Sequence, residues 1–167
     1  RYVRISLASK EVLSLAEVMV MSGDKNLAVG KNATQSSLYE QAEASLAVDG
    51  NTNGDYANKS VTHTNDGGNA WWEVDLGKTE SIDAIKVYNR TDNNIMSRLN
   101  RYSITILDVD RKIVWQDFVH EAKELNEHEV KKSFKLNFDI TKATYSGGER
   151  SPSLCLHSKD PENGWSI

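Results

Sequence analysis

Glycines and Asn/Asp clusters cut the first hundred residues into short segments, and the only two prolines, Pro152 and Pro161, fall near the end. Turn chemistry at that density brackets runs of strand length, the rhythm of an all-β chain. Candidate strands cover residues 2–7, 12–21, 71–76, 81–89, 102–108, 112–119 and 133–139. In the last of these Phe134, Leu136 and Phe138 face one way, and Ser133, Lys135, Asn137 and Asp139 the other, as in a half-buried strand. Asp110-Arg111 reads as a short hairpin connection. Residues 120–132, rich in Glu and Lys, read as either a helix or an exposed loop. Strands with one apolar face are buried by packing sheet on sheet, so the expected architecture is an antiparallel β-sandwich over residues 1–143. Residues 144–167 break the rhythm with Gly147-Gly148, both prolines and Cys155, and read as a tail or linker.

Charge narrows the partners. Twenty basic against 24 acidic residues leave a net charge of −4, and no basic run exceeds Lys131-Lys132, so the electrostatic footprint of a nucleic-acid binder is missing. An acidic membrane surface repels such a chain on average. Apolar runs such as residues 113–115 fall far short of the roughly 20 residues of a membrane span, so no membrane insertion is expected. The chain opens on Arg1 with no basic-then-apolar leader, which reads as a processed or excised piece of something longer. Cys155 has no partner for an internal disulfide, and His63, His120, His128 and His157 lack the close spacing of a zinc site. Of the pair Trp71-Trp72, leading into an alternating run, Trp72 is expected in the core.

Two groups of residues carry chemistry. Residues 47–55 are dense in short oxygen-bearing side chains and turn glycines; a hard cation such as calcium wants about six to eight oxygens, and an Asx-rich turn wants the same residue types. No Glu closes a 12-residue EF-hand loop there. The second group is His63, Arg90, Asp92 and Arg98, which spacing alone would leave as a solvated surface cluster. Asp92 follows Arg90 by two residues, so on a strand the carboxylate can hold the guanidinium in place. Hydrolysis is disfavoured: a glycosidase needs two carboxylates across a pocket, and Asp92 is committed to Arg90. No Ser-His-Asp arrangement or phosphate-binding glycine loop is legible.

In order along the chain stand Asn26-Leu27-Ala28, residues 31–37 (KNATQSS), Ala47-Val48-Asp49-Gly50-Asn51, Thr62-His63-Thr64, residues 71–77 (WWEVDLG) and Asn89-Arg90-Thr91-Asp92. Together they resemble the F-type lectins, or fucolectins, of the discoidin-like, coagulation-factor type C group. The resemblance spans residues 26–108, about half of the chain. It implies a discoidin-like jelly-roll sandwich and a non-catalytic carbohydrate-binding module, often attached in bacteria to larger enzymes or surface proteins. Its partner would be terminal α-L-fucose or a fucosylated, fucan-type or sulfated glycan; the alternative is a discoidin-like adhesion module for a protein or lipid head group. The family motif is a His, then Arg-x-Asp, then a basic residue after four others. Here His63, Arg90 and Arg98 would donate hydrogen bonds to the sugar, with five residues between Asp92 and Arg98. Charged donor bonds of this kind contribute roughly 1.5–3 kcal/mol each.

Where many members carry adjacent cysteines, this chain has Asn93-Asn94-Ile95-Met96, so Ile95 or Met96 would supply the apolar contact under the sugar, with Tyr39 and Tyr56 as the flanking rings. The implied structural calcium would take the carbonyl of Leu46, Asp49, Asn51 and Ser60, completed by the carbonyl of Ala16 and the carboxylate of Glu17. In the family's usual order the run resembling residues 1–18 closes the domain; here it comes first. Either the domain is circularly permuted, or the run ends a preceding module. Weak single sites would draw avidity from tandem modules or oligomers. Sequons at Asn32, Asn58 and Asn89 favour a bacterial secreted or cell-surface protein, since a glycan on Asn89 would obstruct the pocket.

Overall fold

The computed structural model describes residues 1–65 and 68–131. The candidate strand at 133–139, the expected boundary at 143 and the tail at 144–167 lie outside the described residues. Among the described residues nine strands form: β1 (Tyr2–Leu7), β2 (Leu15–Ser22), β3 (Lys25–Asn26), β4 (Asn32–Gln35), β5 (Trp71–Asp75), β6 (Ala84–Asn89), β7 (Tyr102–Leu107), β8 (Ile113–Val119) and β9 (Leu125–Glu129). They make two antiparallel sheets, ordered β4-β5-β1-β7-β8 and β3-β2-β6-β9. Helical turns among the described residues are short 3-10 segments only.

Period-2 alternation builds the core. β1 turns Val3, Ile5 and Leu7 inward, β7 turns Tyr102, Ile104 and Ile106, and β6 turns Ile85 and Val87. Trp72 is fully buried among them, and its indole Nε1–H donates to the carbonyl of Ala44 at 2.9 Å, tying the 3-10 turn Ala44–Val48 to the sheet. The outer face of the five-stranded sheet is laced by charge. Glu73 accepts from Arg4 at 2.9 Å and Arg111 at 2.6 Å, while Arg4 lies 4.3 Å over the ring of Trp71.

The N-terminal run is part of this sandwich. β1 sits mid-sheet between β5 and β7, and β2 lies between β3 and β6. The terminal ammonium donates to the carbonyl of Leu107, and the Arg1 side chain makes a two-pronged bond to Asp75.

Residues 120–131, the described part of that segment, correct the sequence reading: they contain a strand, β9, and no helix. Its inward residues are Asn126 and His128, so no apolar alternation marks it. Both are buried with partners. Asn126 Nδ2 donates to the carbonyls of Lys123 and Val87, and His128 takes the Tyr102 hydroxyl on Nε2 while its Nδ1–H reaches Asp117 at 2.8 Å. This chain of bonds fastens the two sheets together at low polar cost. Truncating Trp72 to Ala should lower unfolding free energy by about 3–5 kcal/mol, measured by urea denaturation; a loss under about 1 kcal/mol would contradict the packing described.

Candidate functional site

Three connections meet at one end of the sandwich: residues 8–14 between β1 and β2, 36–70 between β4 and β5, and 90–101 between β6 and β7. Between them opens a cleft of about 530 Å³ lined by Lys10, Glu11, Val12, Tyr39, Tyr56, His63, Arg90 and Arg98.

His63 is placed by its neighbours. Thr62 and Thr64 pair with the chain at residues 13–15: Thr62 N–H donates to Leu15 C=O and Thr64 N–H to Leu13 C=O. The two threonine hydroxyls in turn accept the N–H groups of Leu15 and Leu13. Alternation along this strand-like stretch leaves the imidazole between them facing the cleft. Its Nδ1 lies 2.6 Å from the carbonyl of Thr64, which can only accept, so Nδ1 carries the proton and Nε2 presents a lone pair. Burial, with Arg90 and Arg98 nearby, pulls the His63 pKa below its ordinary 6.5, so the ring is neutral at pH 7. In this neutral form Nε2 is an acceptor.

Arg90 follows directly on β6. Its Nε and a terminal nitrogen grip both oxygens of Asp92 at 2.6 and 2.8 Å, and its guanidinium lies 4.4 Å over the ring of Tyr56. The Arg90 guanidinium in turn holds the Asp92 carboxyl below the usual carboxylate range. Tyr56 stands edge-on to His63 at 5.7 Å, and Tyr39 lies tilted against it at 4.8 Å. The Tyr56 hydroxyl donates to Glu40. The loop bearing Tyr56 docks on the end of β6 through Gly54, whose C=O accepts from Thr91 N–H. A Cβ at position 54 would sit 2.7 Å from the carbonyl of Asn89, so only glycine fits that approach.

Residues 92–99 form two consecutive 3-10 turns, with Asn93 and Asn94 in the left-handed region. The turns bring Arg98 to the cleft wall despite the extra residue. Ile95 and Met96 are not brought to it: Ile95 is half-buried and Met96 exposed, and neither lines the cleft. The apolar surface there comes from Tyr39, Tyr56 and Val12. Lys10, Glu11 and Val12 are lining residues that the sequence reading missed. They lie on the connection between β1 and β2, outside the run of motifs at residues 26–108. Asn89 is also corrected: it is 3 % exposed and its Nδ2 donates to the carbonyl of Met96, so its sequon is folded away rather than poised at the pocket.

The oxygen-rich loop forms a ladder of Asx turns. Asp49 accepts from Asn51 N–H, Asn51 from Asn53, Asn53 from Asp55, and Asp55 from Ala57. Ser60, buried, donates to the carbonyl of Asn53 at 2.6 Å. Beneath the ladder lies Glu17, brought there by a bulge at Ala16 in the β2–β6 pairing. Its carboxylate is fully buried; one oxygen accepts from Gly50 N–H at 3.2 Å, and the other, Oε2, has no partner. Burial pushes this carboxyl up to about 7, and Asp49 adds to the shift. A second groove of about 890 Å³ shares Tyr56 with the first and is walled by Ala42, Leu46, Ala57 and Val61.

A model of the F5/F8 type C family, described as NedA-like, galactose-binding domain, matches residues 46–146. Among curated proteins the chain is 40 % identical to Fucolectin-1 of Anguilla japonica over 73 residues, 41 % of each chain. It is 37 % identical to Fucolectin of Anguilla anguilla over the same length, 46 % of that protein. The chain thus spans less than half the length of these relatives. Among solved structures it resembles the lectin domain of Lectinolysin complexed with Lewis B antigen, with a TM-score of 0.65 and 40 % identity over 66 % of this chain and 80 % of that one. It also resembles a Streptococcus pneumoniae fucose binding module, with a TM-score of 0.63 and 36 % identity over 67 % and 79 % of the two chains. The two-sheet fold, the converging loops and these likenesses agree: the chain belongs to the F5/F8 type C family of NedA-like, galactose-binding domains, among the fucolectin-type lectin modules.

Proposed function

We propose that this domain is a lectin module that binds terminal α-L-fucose in the cleft between His63, Arg90 and Arg98. The observation that supports it most is the convergence of one neutral imidazole, two guanidinium groups and two tyrosine rings from distant parts of the chain on one concavity. Such a set suits a deoxyhexose. Arg90 and Arg98 donate to hydroxyl and ring oxygens, His63 Nε2 accepts from a hydroxyl, and a tyrosine ring lies against the C–H face. Asp92 is a positioning residue, since both its oxygens are engaged by Arg90. The cation-rich wall, with Lys10 at the cleft, also favours a sulfated fucan over a neutral one. The adjoining groove would take the sugars beyond the terminal residue. A walled polar cleft fits this reading better than adhesion through apolar loop tips. As relatives of this kind occur in bacteria, we place the protein outside the cell or on a bacterial surface, and read its order of strands as a circular permutation.

We further propose that calcium belongs to the loop over Glu17. The residues fit a hard cation: a buried carboxylate with an orphaned oxygen, Asp49 beside it, and the Asn51 and Ser60 oxygens and the Leu46 and Ala16 carbonyls as the remaining donors. Bound there, calcium would supply the positive charge that two neighbouring carboxylates lack.

Titration calorimetry with fucose should show weak binding, on the order of micromolar to millimolar, that Arg90→Ala abolishes while the melting temperature moves by no more than a few degrees. Retained binding in that variant rejects the site. For the ion, melting curves with calcium and with chelator should differ in the wild type and coincide in Asp49→Ala, which melts lower. Glu17→Gln, which removes the buried charge, should lose the calcium response and be more stable than wild type in chelator. A wild type indifferent to chelator defeats the ion.

The depressed pKa of His63 sets a pH dependence. The unfolded ring titrates at its ordinary value and the folded one lower, so its contribution to stability is present above 6.5 and lost as pH falls through the folded pKa. Protonation also removes the acceptor at Nε2 and adds a third cation beside Arg90 and Arg98. Fucose affinity should be level above pH 6.5 and fall as pH drops through the folded pKa, located by NMR titration of the imidazole; affinity unchanged across that titration would show that His63 does not act as the acceptor.

A further inference from the structure

Among the described residues the sandwich has four sheet edges, and they are not alike. β3 has two residues, β4 is four residues long and polar, and β9 carries Glu127 and Glu129, paired with Lys86 and Lys131. Short or charged edges are how proteins keep open edges from pairing. β8 differs: it has seven residues, no lysine or proline within it, one bulge at Val114 where its register against β7 shifts, and Ile113, Val114 and Phe118 exposed by 60, 59 and 43 %. We infer that β8 is an interface for a second copy of this chain, joined edge to edge in antiparallel register about a two-fold axis at Gln116.

The hydrogen-bond phase allows that register. Arg101 N–H donates to His120 C=O, and the β7–β8 ladder continues with Ser103 opposite Phe118 and Thr105 opposite Gln116. Even-numbered residues from 116 to 120 therefore bond inward to β7, and Trp115, Asp117 and Val119 turn their backbone groups outward. A two-fold axis at Gln116 sets Trp115 opposite Asp117 of the second copy, both with free backbone groups. It also brings Phe118 of the second copy toward Val114, the extra residue at the β8 bulge, both with exposed apolar side chains.

Charge follows the same symmetry. The strand is preceded by Arg111 and Lys112 and followed by His120 and Glu121, so each copy brings its basic end toward the other's acidic end. Arg111, though bonded to Glu73, keeps half of its side chain in solvent. The pairing would extend the five-stranded sheet of each copy into one ten-stranded sheet. Because paired β8 strands run in opposite directions, the two clefts would open at opposite ends of the dimer, the geometry of a cross-linker between two glycan-bearing surfaces.

The test needs no sugar, so its failure leaves the reading of the cleft standing. Light scattering after size exclusion of the full chain should give, with rising concentration, twice the 18.7 kDa monomer mass, and the double variant Val114→Lys, Phe118→Lys should halve it while keeping the wild-type circular dichroism spectrum. In the wild type, hydrogen exchange at the amides of Trp115, Asp117 and Val119 should slow as concentration rises. A wild type monomeric at every concentration, or a double variant still dimeric, overturns the inference. So do edge amides protected to the same degree at all concentrations, which would mean that residues 132–167 of the same chain cover β8, and edge amides exposed at all of them.

Discussion

The cleft rests on one short pairing, Thr62-His63-Thr64 against residues 13–15, made of two backbone bonds and two threonine hydroxyls taking the N–H groups that a missing strand neighbour would leave orphaned. It joins the N-terminal run to the middle of the longest connection in the described residues. Without it His63 would sit on a free loop, and the β1–β2 connection bearing Lys10, Glu11 and Val12 would have no fixed position relative to the imidazole. The same stretch is locked from the other side: Gln35 Nε2 and Tyr39 N–H both donate to the His63 carbonyl, and His63 N–H donates to Ala42. Three chain segments far apart in sequence are thereby held at hydrogen-bond precision around one ring.

Rigidity of this kind matters because a monosaccharide has few atoms with which to offset the entropy lost on binding. Arg90 shows how the chain limits that loss. Its side chain is 10 % exposed, clamped by Asp92 and covered by Tyr56, so little rotamer freedom remains to be surrendered to a ligand. The arginine pair also decides the state of its neighbour. Burial and two adjacent cations keep His63 uncharged, so on the proposed reading of the cleft the set offers two donors and an acceptor. A hydroxyl that accepts from one side and donates to the other is what such a set distinguishes from a simple anion.

Most of the strands were legible in the sequence because apolar alternation is a direct imprint of a half-buried sheet. Tyr2–Leu7 was read to the residue, and 102–108 and 112–119 to within one. The start of β2 was placed three residues early, since Val12 and Leu13 are apolar for the sake of the cleft and the core rather than a ladder. β9 escaped because its inward residues are Asn126 and His128, whose burial depends on partners in other strands that no local pattern encodes. β3 and β4 were too short and polar to register. At the site, residue types and motif order named His63, Arg90, Asp92 and Arg98, but the tautomer of His63 is fixed by a backbone carbonyl and is invisible before folding. Ile95 and Met96 were misplaced for a related reason: proximity in sequence to Arg98 does not survive two tight turns with left-handed asparagines.

The loop over Glu17 and the cleft are one mechanical unit. Glu17 accepts from Gly50, the ladder from Asp49 to Ala57 passes constraint from one Asx turn to the next, and its far end delivers Gly54 to the edge of β6 and Tyr56 to the face of Arg90. A buried carboxylate with one bonded oxygen is a costly anchor for such a ladder, since the desolvated charge pushes the carboxyl toward its neutral form. Whatever balances that charge therefore stiffens the loop at its base and, through the ladder, fixes the ring that covers Arg90. The proposed ion site and the proposed sugar site are thus joined through the ladder, the first at the Glu17 end and the second at the Tyr56 end.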